Sequence, residues 1–416
     1  MTTDADTTSL QKRTIRSLRM MQIPGQAAVS GVAAVVALLA SDLVGSDRLA
    51  GVGSAGATLG AAFTAVPLAA MMRRRGRRPA LVTAFGIGAI GAVVAAFGGE
   101  TRSLLLFIVG MSIFGAGQAG ALQSRYVAAD LAPNDVKATA IASVVWVGTL
   151  GAVFGPLLTP VEKAVAENLG LSRLVGPFMA ASVFFALSGA IAFIRLRPDP
   201  LVMSGGVSPT SDRVPLRSQV RVALRAIGAS RPAQAGVAAM IVSQATMVAV
   251  MTMTPPHMKD HGHADLSALV VALHIMGMYG FSPIIGRITD RLGRLRSLEV
   301  GAVVLGVGIV STVVAGYVPS LMFIGLLLLG IGWSIGLIAG TTLVSESVDS
   351  STKVEVQGTA DLLMSLCGGL AAFASGFIKQ AWGFHALADI ATVAAAGLLV
   401  LVWITRLGVR PPVLRS

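Results

Sequence analysis

Residues 320–343 read SLMFIGLLLLGIGWSIGLIAGTTL, 24 consecutive positions without one charged side chain. The hydrocarbon core of a bilayer takes about 20 predominantly apolar residues of α-helix, each rising ~1.5 Å. A run of this length and purity therefore reads as a transmembrane helix. Working outward, similar runs appear near 26–44, 49–72, 80–98, 103–124, 138–160 and 174–194, and again near 233–254, 266–286, 298–316, 358–379 and 384–404. The expected fold class is an all-α membrane protein of twelve transmembrane helices. Composition agrees: 54% of residues are hydrophobic and 12% charged, where a soluble domain carries about 25% charged. The 48 glycines suit helices packed closely in lipid.

A net charge of +12 can signal a nucleic-acid partner, but the placement of the charges argues against one. They cluster in the short segments between apolar runs. If the N-terminus is cytoplasmic, 26 of the 32 Lys and Arg fall on the inner side and six outside, namely Arg48, Arg102, Lys163, Arg173, Lys259 and Lys379. The positive-inside rule then puts both termini in the cytoplasm, and the expected location is a bacterial inner membrane. Residues 1–11 are polar and Thr-rich, and Lys12, Arg13, Arg16 and Arg19 follow, which reads as a cytoplasmic flank rather than a cleavable signal. The single cysteine, Cys367, excludes an internal disulfide and a cysteine-based zinc site.

The expected division is an N-terminal six-helix bundle over 1–194, a cytoplasmic linker over 195–232, and a C-terminal bundle over 233–416. Within the linker, Arg217, Arg221 and Arg225 share one helical face and Leu216, Val220, Leu224 and Ile227 the other. Two readings stand for it, an amphipathic helix on the inner membrane surface and a plain basic linker. The halves read as repeats: Gly76 and Gly293 follow the second and eighth spans 217 residues apart, and Gly155 and Gly376 are 221 apart. Two repeats around a midplane site are a transporter design.

The loop Gly286-Arg287-Ile288-Thr289-Asp290-Arg291-Leu292-Gly293-Arg294 resembles the G-x-x-x-D-R-x-G-R motif of the major facilitator superfamily. The resemblance implies a twelve-helix carrier in which Asp290, Arg291 and Arg294 form a cytoplasmic gate latch. In the first half the loop reads Met72-Arg73-Arg74-Arg75-Gly76-Arg77-Arg78, with Arg73 where the family has its acid. The run Gly151-Ala152-Val153-Phe154-Gly155-Pro156 resembles part of a drug/proton antiporter motif but lacks its trailing glycines, and it also reads simply as close helix packing.

Seven of the 17 methionines and four of the five histidines lie between Met240 and Met278. Met247 and Met251 in the seventh span, and His274 and Met278 in the eighth, are spaced i, i+4, which places each pair on one helix face. Thioether and imidazole together suit Cu(I). His257, Met258, His261 and His263 fall in the expected outer loop, placed to collect a metal. The arrangement resembles the CcoA-like copper importers, whose M-x-x-x-M and H-x-x-x-M pairs match Met247, Met251, His274 and Met278; that resemblance implies copper as the transported substrate. The bland reading makes the methionines packing residues and the loop histidines solvated side chains. An ionisable side chain deep in a span, as at His274, points to function.

Asp361, about one turn into the eleventh span, reads equally as a proton-coupling carboxyl, with His274 the other candidate, and as a capping or pairing group at a helix start. Arg125 is expected to pair with Asp130 or another loop acid; Gln118, Gln123 and Gln244 are candidates to line a cavity, but the sequence does not orient them. Three functions remain open: a copper importer, a proton-coupled exporter of small organic compounds, and a non-transporting sensor or assembly factor. The expected partners are the bilayer and a small solute or copper ion, with a monomeric chain and no resident cofactor. No phosphate-cradling loop, nucleophile–base pair or carboxylate dyad argues for an enzyme.

Overall fold

The computed structural model describes residues 4–45, 51–207, 215–260, 267–314 and 319–408. These form α1 (Asp4–Ala33), α2 (Val36–Val44), α3 (Val52–Arg75), α4 (Arg77–Glu100), α5 (Leu104–Ala129), α6 (Lys137–Asn168), α7 (Gly176–Arg195), α8 (Pro200–Met203), α9 (Leu216–Ala229) and α10 (Arg231–Asp260). Then follow α11 (Ser267–Ile275), a π turn (Met276–Gly280), α12 (Ser282–Leu292), α13 (Arg294–Val314), α14 (Pro319–Glu346) and α15 (Lys353–Gly408).

Ten helical stretches among the described residues are each long and apolar enough to span a bilayer. One of them, α15, runs 56 residues but is interrupted at Gly383, whose φ of 84° and ψ of 173° lie outside helical geometry, so it holds two spans. The pair Val270–Gly280 and Ser282–Leu292, bent by 42°, contributes one more. The bend falls where the π turn meets Pro283, which has no N–H to continue the helical ladder. The twelve-helix architecture of two repeats is thereby realised, with the single stretch Ser9–Val44 as its first member.

The chain divides into two compact units. The first comprises 1–133, 140–224 and 349–369, so it includes the start of α15; the second comprises 134–139, 225–348 and 370–416, so it includes the first turn of α6. In the first unit α4 packs against α5 and α7, α5 against α3, and α1 against α7. Glycine sets the α4–α5 distance: a methyl on Gly91 would strike the backbone nitrogen of Phe114, and one on Gly110 that of Ala95. Backbone-to-backbone approach of this kind supplies dispersion contact where lipid offers no hydrophobic drive. Phe85, Phe107, Phe114, Phe178 and Phe185 fill the space beyond, and all are buried. In the second unit α14 packs on α10, α11 and α13.

The linker does form a helix, α9. Gln219, Ala223 and Ile227 are buried, whereas Leu216 and Leu224 stand exposed beside Arg217, Arg221 and Arg225. Gly151 and Gly155 sit against α1, where Ile23, Ala27 and Gly31 meet them and Ser30 Oγ donates to the Gly151 carbonyl at 3.1 Å. Close helix packing is therefore what that run does structurally.

Candidate functional site

Two turns on the basic side of the chain are built alike. Gly76 and Gly293 adopt φ of 93° and 86°, a region nearly closed to residues with a Cβ, and each follows a helix that it ends. The Gly76 N–H donates to the Met72 carbonyl at 2.8 Å, and the Gly293 N–H to that of Thr289 at 3.1 Å. Because the sharp turn is shared, residues 217 apart occupy equivalent places around it.

In the second unit the Asp290 carboxylate accepts the backbone N–H groups of Ala138 at 3.0 Å and Thr139 at 2.8 Å, in the first turn of α6. Those amides have no partner within their own helix, and their end of the helix carries partial positive charge. Arg294 grips Glu346 in bidentate fashion at 2.9 and 3.0 Å, lies 3.4 Å from Asp290, and donates to the Asn134 carbonyl. Lys137 adds a cation 3.7 Å from Glu346. Arg291 is exposed.

The first unit repeats this plan with one inversion. Arg77, 1% exposed, grips Asp130 at 2.8 and 3.0 Å and also donates to Gln357 at 2.8 Å. It takes the part that Arg294 plays, and Lys353 stands 3.8 Å from Asp130 as Lys137 does from Glu346. Where Asp290 meets the start of α6, Arg73 meets Glu355, the third residue of α15, in an ion pair. Arg73 is 217 residues before Asp290, and Ala138 is 217 before Glu355. A cation has thus replaced the acid of one loop, and an acid has appeared on the helix it faces.

Deeper in the first unit, Arg125 near the end of α5 pairs with Asp361 of α15, and both side chains are at most 2% exposed. The Tyr126 hydroxyl donates to the same carboxylate oxygen, Oδ1, at 3.3 Å, and the Arg125 guanidinium lies over the Tyr126 ring, 4.6 Å from its centre. Oδ2 of Asp361 is buried without a hydrogen-bond partner. Arg125 was expected to pair with Asp130 or another loop acid; Asp130 instead belongs to Arg77 and Lys353, and the partner of Arg125 comes from 236 residues away.

The Met/His cluster is placed differently from an open loop above two helices. α10 continues to Asp260, so His257 and Met258 are helical and buried, and the His257 ring stacks on Phe384 at 4.2 Å. His261 and His263 lie outside the described residues. Met247 and Met278 are buried, and Met251, partly buried, packs against Met258, Val270, Met322 and Leu326. His274, 1% exposed, turns its Nδ1 to the Leu326 carbonyl of α14 at 2.9 Å, and its Nε2 is buried with no hydrogen-bond partner. Among the described residues no group of three or more His, Cys, Asp and Glu could hold a metal ion. Gln123 donates to the Ala65 carbonyl, and Gln244 accepts from the Trp333 ring N–H.

Sequence reading missed the partners Glu355, Glu346, Asp130 and Gln357. The 217-residue offset does not find them: it carries Arg73 onto Asp290 and Arg77 onto Arg294, but the four partners lie on other helices that only packing brings to the loops.

The family description "Major Facilitator Superfamily" matches residues 21–280 and again 235–416. Among curated proteins, the "Uncharacterized MFS-type transporter YdeG" of Bacillus subtilis (strain 168) is 37% identical over 399 residues, covering 95% of this chain and 92% of the relative. The "Riboflavin transporter RfnT" of Brucella anthropi is 29% identical over 335 residues, 79% of each chain. Solved structures of the fucose transporter FucP (TM-score 0.71, 14% identity, covering 94% and 98%) and of a bacterial homologue of ferroportin (TM-score 0.74, 12% identity, covering 94% and 99%) share the fold.

Proposed function

Since the chain belongs to the major facilitator superfamily and is a membrane transporter of small solutes, we propose that it is a proton-coupled carrier of a small organic compound, with Asp361 as the proton site. The observation that carries this reading is the buried Arg125–Asp361 pair with its unpartnered Oδ2. A buried carboxylate is held in place by its cation, and removing either charge leaves the other uncompensated. A proton arriving at Oδ2 neutralises Asp361 and frees Arg125, so the two protonation states favour different arrangements of α5 and α15. That is the differential stability through which a proton gradient drives a carrier. The loops at Gly76 and Gly293 act on the same cycle as latches of the cytoplasmic side. The riboflavin transport named for one relative makes an aromatic heterocyclic solute the first candidate substrate.

The test is transport by the full chain in proteoliposomes. With an imposed pH gradient the intact protein accumulates its solute. Asp361→Asn keeps solute exchange at equilibrium but loses gradient-driven accumulation. Accumulation by Asp361→Asn at the rate of the intact protein overturns the coupling assignment.

One observation favours a second reading, copper import through Met247, Met251, His274 and Met278. His274 holds Nδ1 on a carbonyl and leaves Nε2 as a buried, unpartnered acceptor, the disposition of a metal-ligating imidazole. Copper uptake that His274→Ala abolishes would establish it. Flavin uptake without copper uptake, unchanged in His274→Ala, removes it.

A further inference from the structure

On the first unit, α4, α6 and α7 border a groove of about 560 Å³, within the range of small-ligand sites. Val93, Leu158, Val161, Val183 and Phe184 make its walls. Val161 and Val183 are 60% and 64% exposed, on helices long and apolar enough to span a bilayer, so the groove opens toward acyl chains. Glu162 is the one ionisable side chain in the lining, and its Oε2 is buried without a hydrogen-bond partner. It stands six residues before the end of α6 at Asn168, about 9 Å along the axis, at the far end of that helix from its start at Lys137. Glu162 is 25 residues from Lys137, about 38 Å of helix, which exceeds the ~30 Å hydrocarbon core and suits an end of the span at headgroup level.

An acceptor stranded in an apolar groove is satisfied by a donor that arrives attached to hydrocarbon. We propose that the groove is a binding site for a membrane phospholipid with a primary ammonium headgroup, whose N–H groups bond Glu162 while an acyl chain lies along Val93, Val161 and Val183. Charge complementarity selects the ammonium over an anionic headgroup. The need for a donated hydrogen selects it over a quaternary ammonium, which has none to give. The proposal is independent of the transport reading, since no residue of the groove belongs to the latches or to the Asp361 pair.

The test titrates phosphatidylethanolamine, phosphatidylcholine and phosphatidylglycerol onto the purified full chain in detergent and counts retained lipid by native mass spectrometry. Phosphatidylethanolamine is expected to bind about tenfold tighter than the other two, as a charge-assisted hydrogen bond allows. Glu162→Gln abolishes the preference, and Val161→Trp, which fills the groove while leaving Glu162, lowers retention of the same lipid. Equal binding of the three lipids by the intact protein overturns the proposal, as does a preference that Glu162→Gln leaves intact. Equal retention of a simple long-chain alkylamine also overturns it, because the occupant is then a free amphiphilic amine.

Discussion

Replacing Arg73 by Ala leaves the Glu355 carboxylate, 5% exposed, without its cation, while Arg73 itself is 18% exposed. Open surface pairs contribute about 0–1 kcal/mol, and breaking a fully buried pair costs about 3–5 kcal/mol. This pair lies between the limits, so the start of α15 loses about 2 kcal/mol of local stability. That is about a 30-fold rise in the population of its open form. Arg73→Glu adds a repulsion: two unit charges about 4 Å apart interact by about 4 kcal/mol at an effective dielectric near 20, before the side chains move away from each other. The reciprocal exchange, Arg73→Glu with Glu355→Arg, restores attraction in the arrangement that the other loop uses, an acid on the loop and positive charge at the helix start. Amide hydrogen exchange of residues 353–361, followed by mass spectrometry, reads the opening directly. The expected order is rapid exchange in both single variants and a return to within about 1 kcal/mol of the original in the exchanged protein. If the exchanged protein is as labile as the sum of its two single variants, the pair carries no coupling and the inverted-latch reasoning fails.

Asp290→Ala removes the acceptor for Ala138 and Thr139 and is expected to destabilise the first turn of α6 by about 1–2 kcal/mol, seen as faster amide exchange there; Asp290→Asn, which keeps an acceptor, loses less. Gly91→Val drives a branched side chain into the α5 backbone at Phe114, and the yield of monodisperse protein should fall sharply. Gly86→Val, on the same helix with open space around it, is the control that should behave like the original. Arg77→Ala leaves buried Asp130 with only Lys353 at 3.8 Å, and a loss of about 3 kcal/mol in unfolding free energy is expected; an unchanged thermal midpoint would refute that weight.

The sequence by itself determined the membrane class, the number of spans and the repeated turns, because each depends on local quantities: run length, charge density and the glycine that a positive φ demands. The largest differences in span ends are where helices run on past the apolar stretch. α6 and α10 run on to Asn168 and Asp260, since a helix needs no apolar side chains to keep its own hydrogen bonds. That same persistence drew His257 and Met258 out of the expected loop and into a packed helix. What tertiary structure alone decided was partnership. Arg125 had Asp130 five residues away, yet the fold gave it Asp361 and gave Asp130 to Arg77. Charge pairing is fixed by which helix faces meet after packing, and in lipid those faces are chosen by glycine-scale fit between backbones. The inverted pair Arg73–Glu355 shows the limit most clearly: the loop motif lost its acid, and only the folded chain reveals that the opposing helix supplies one.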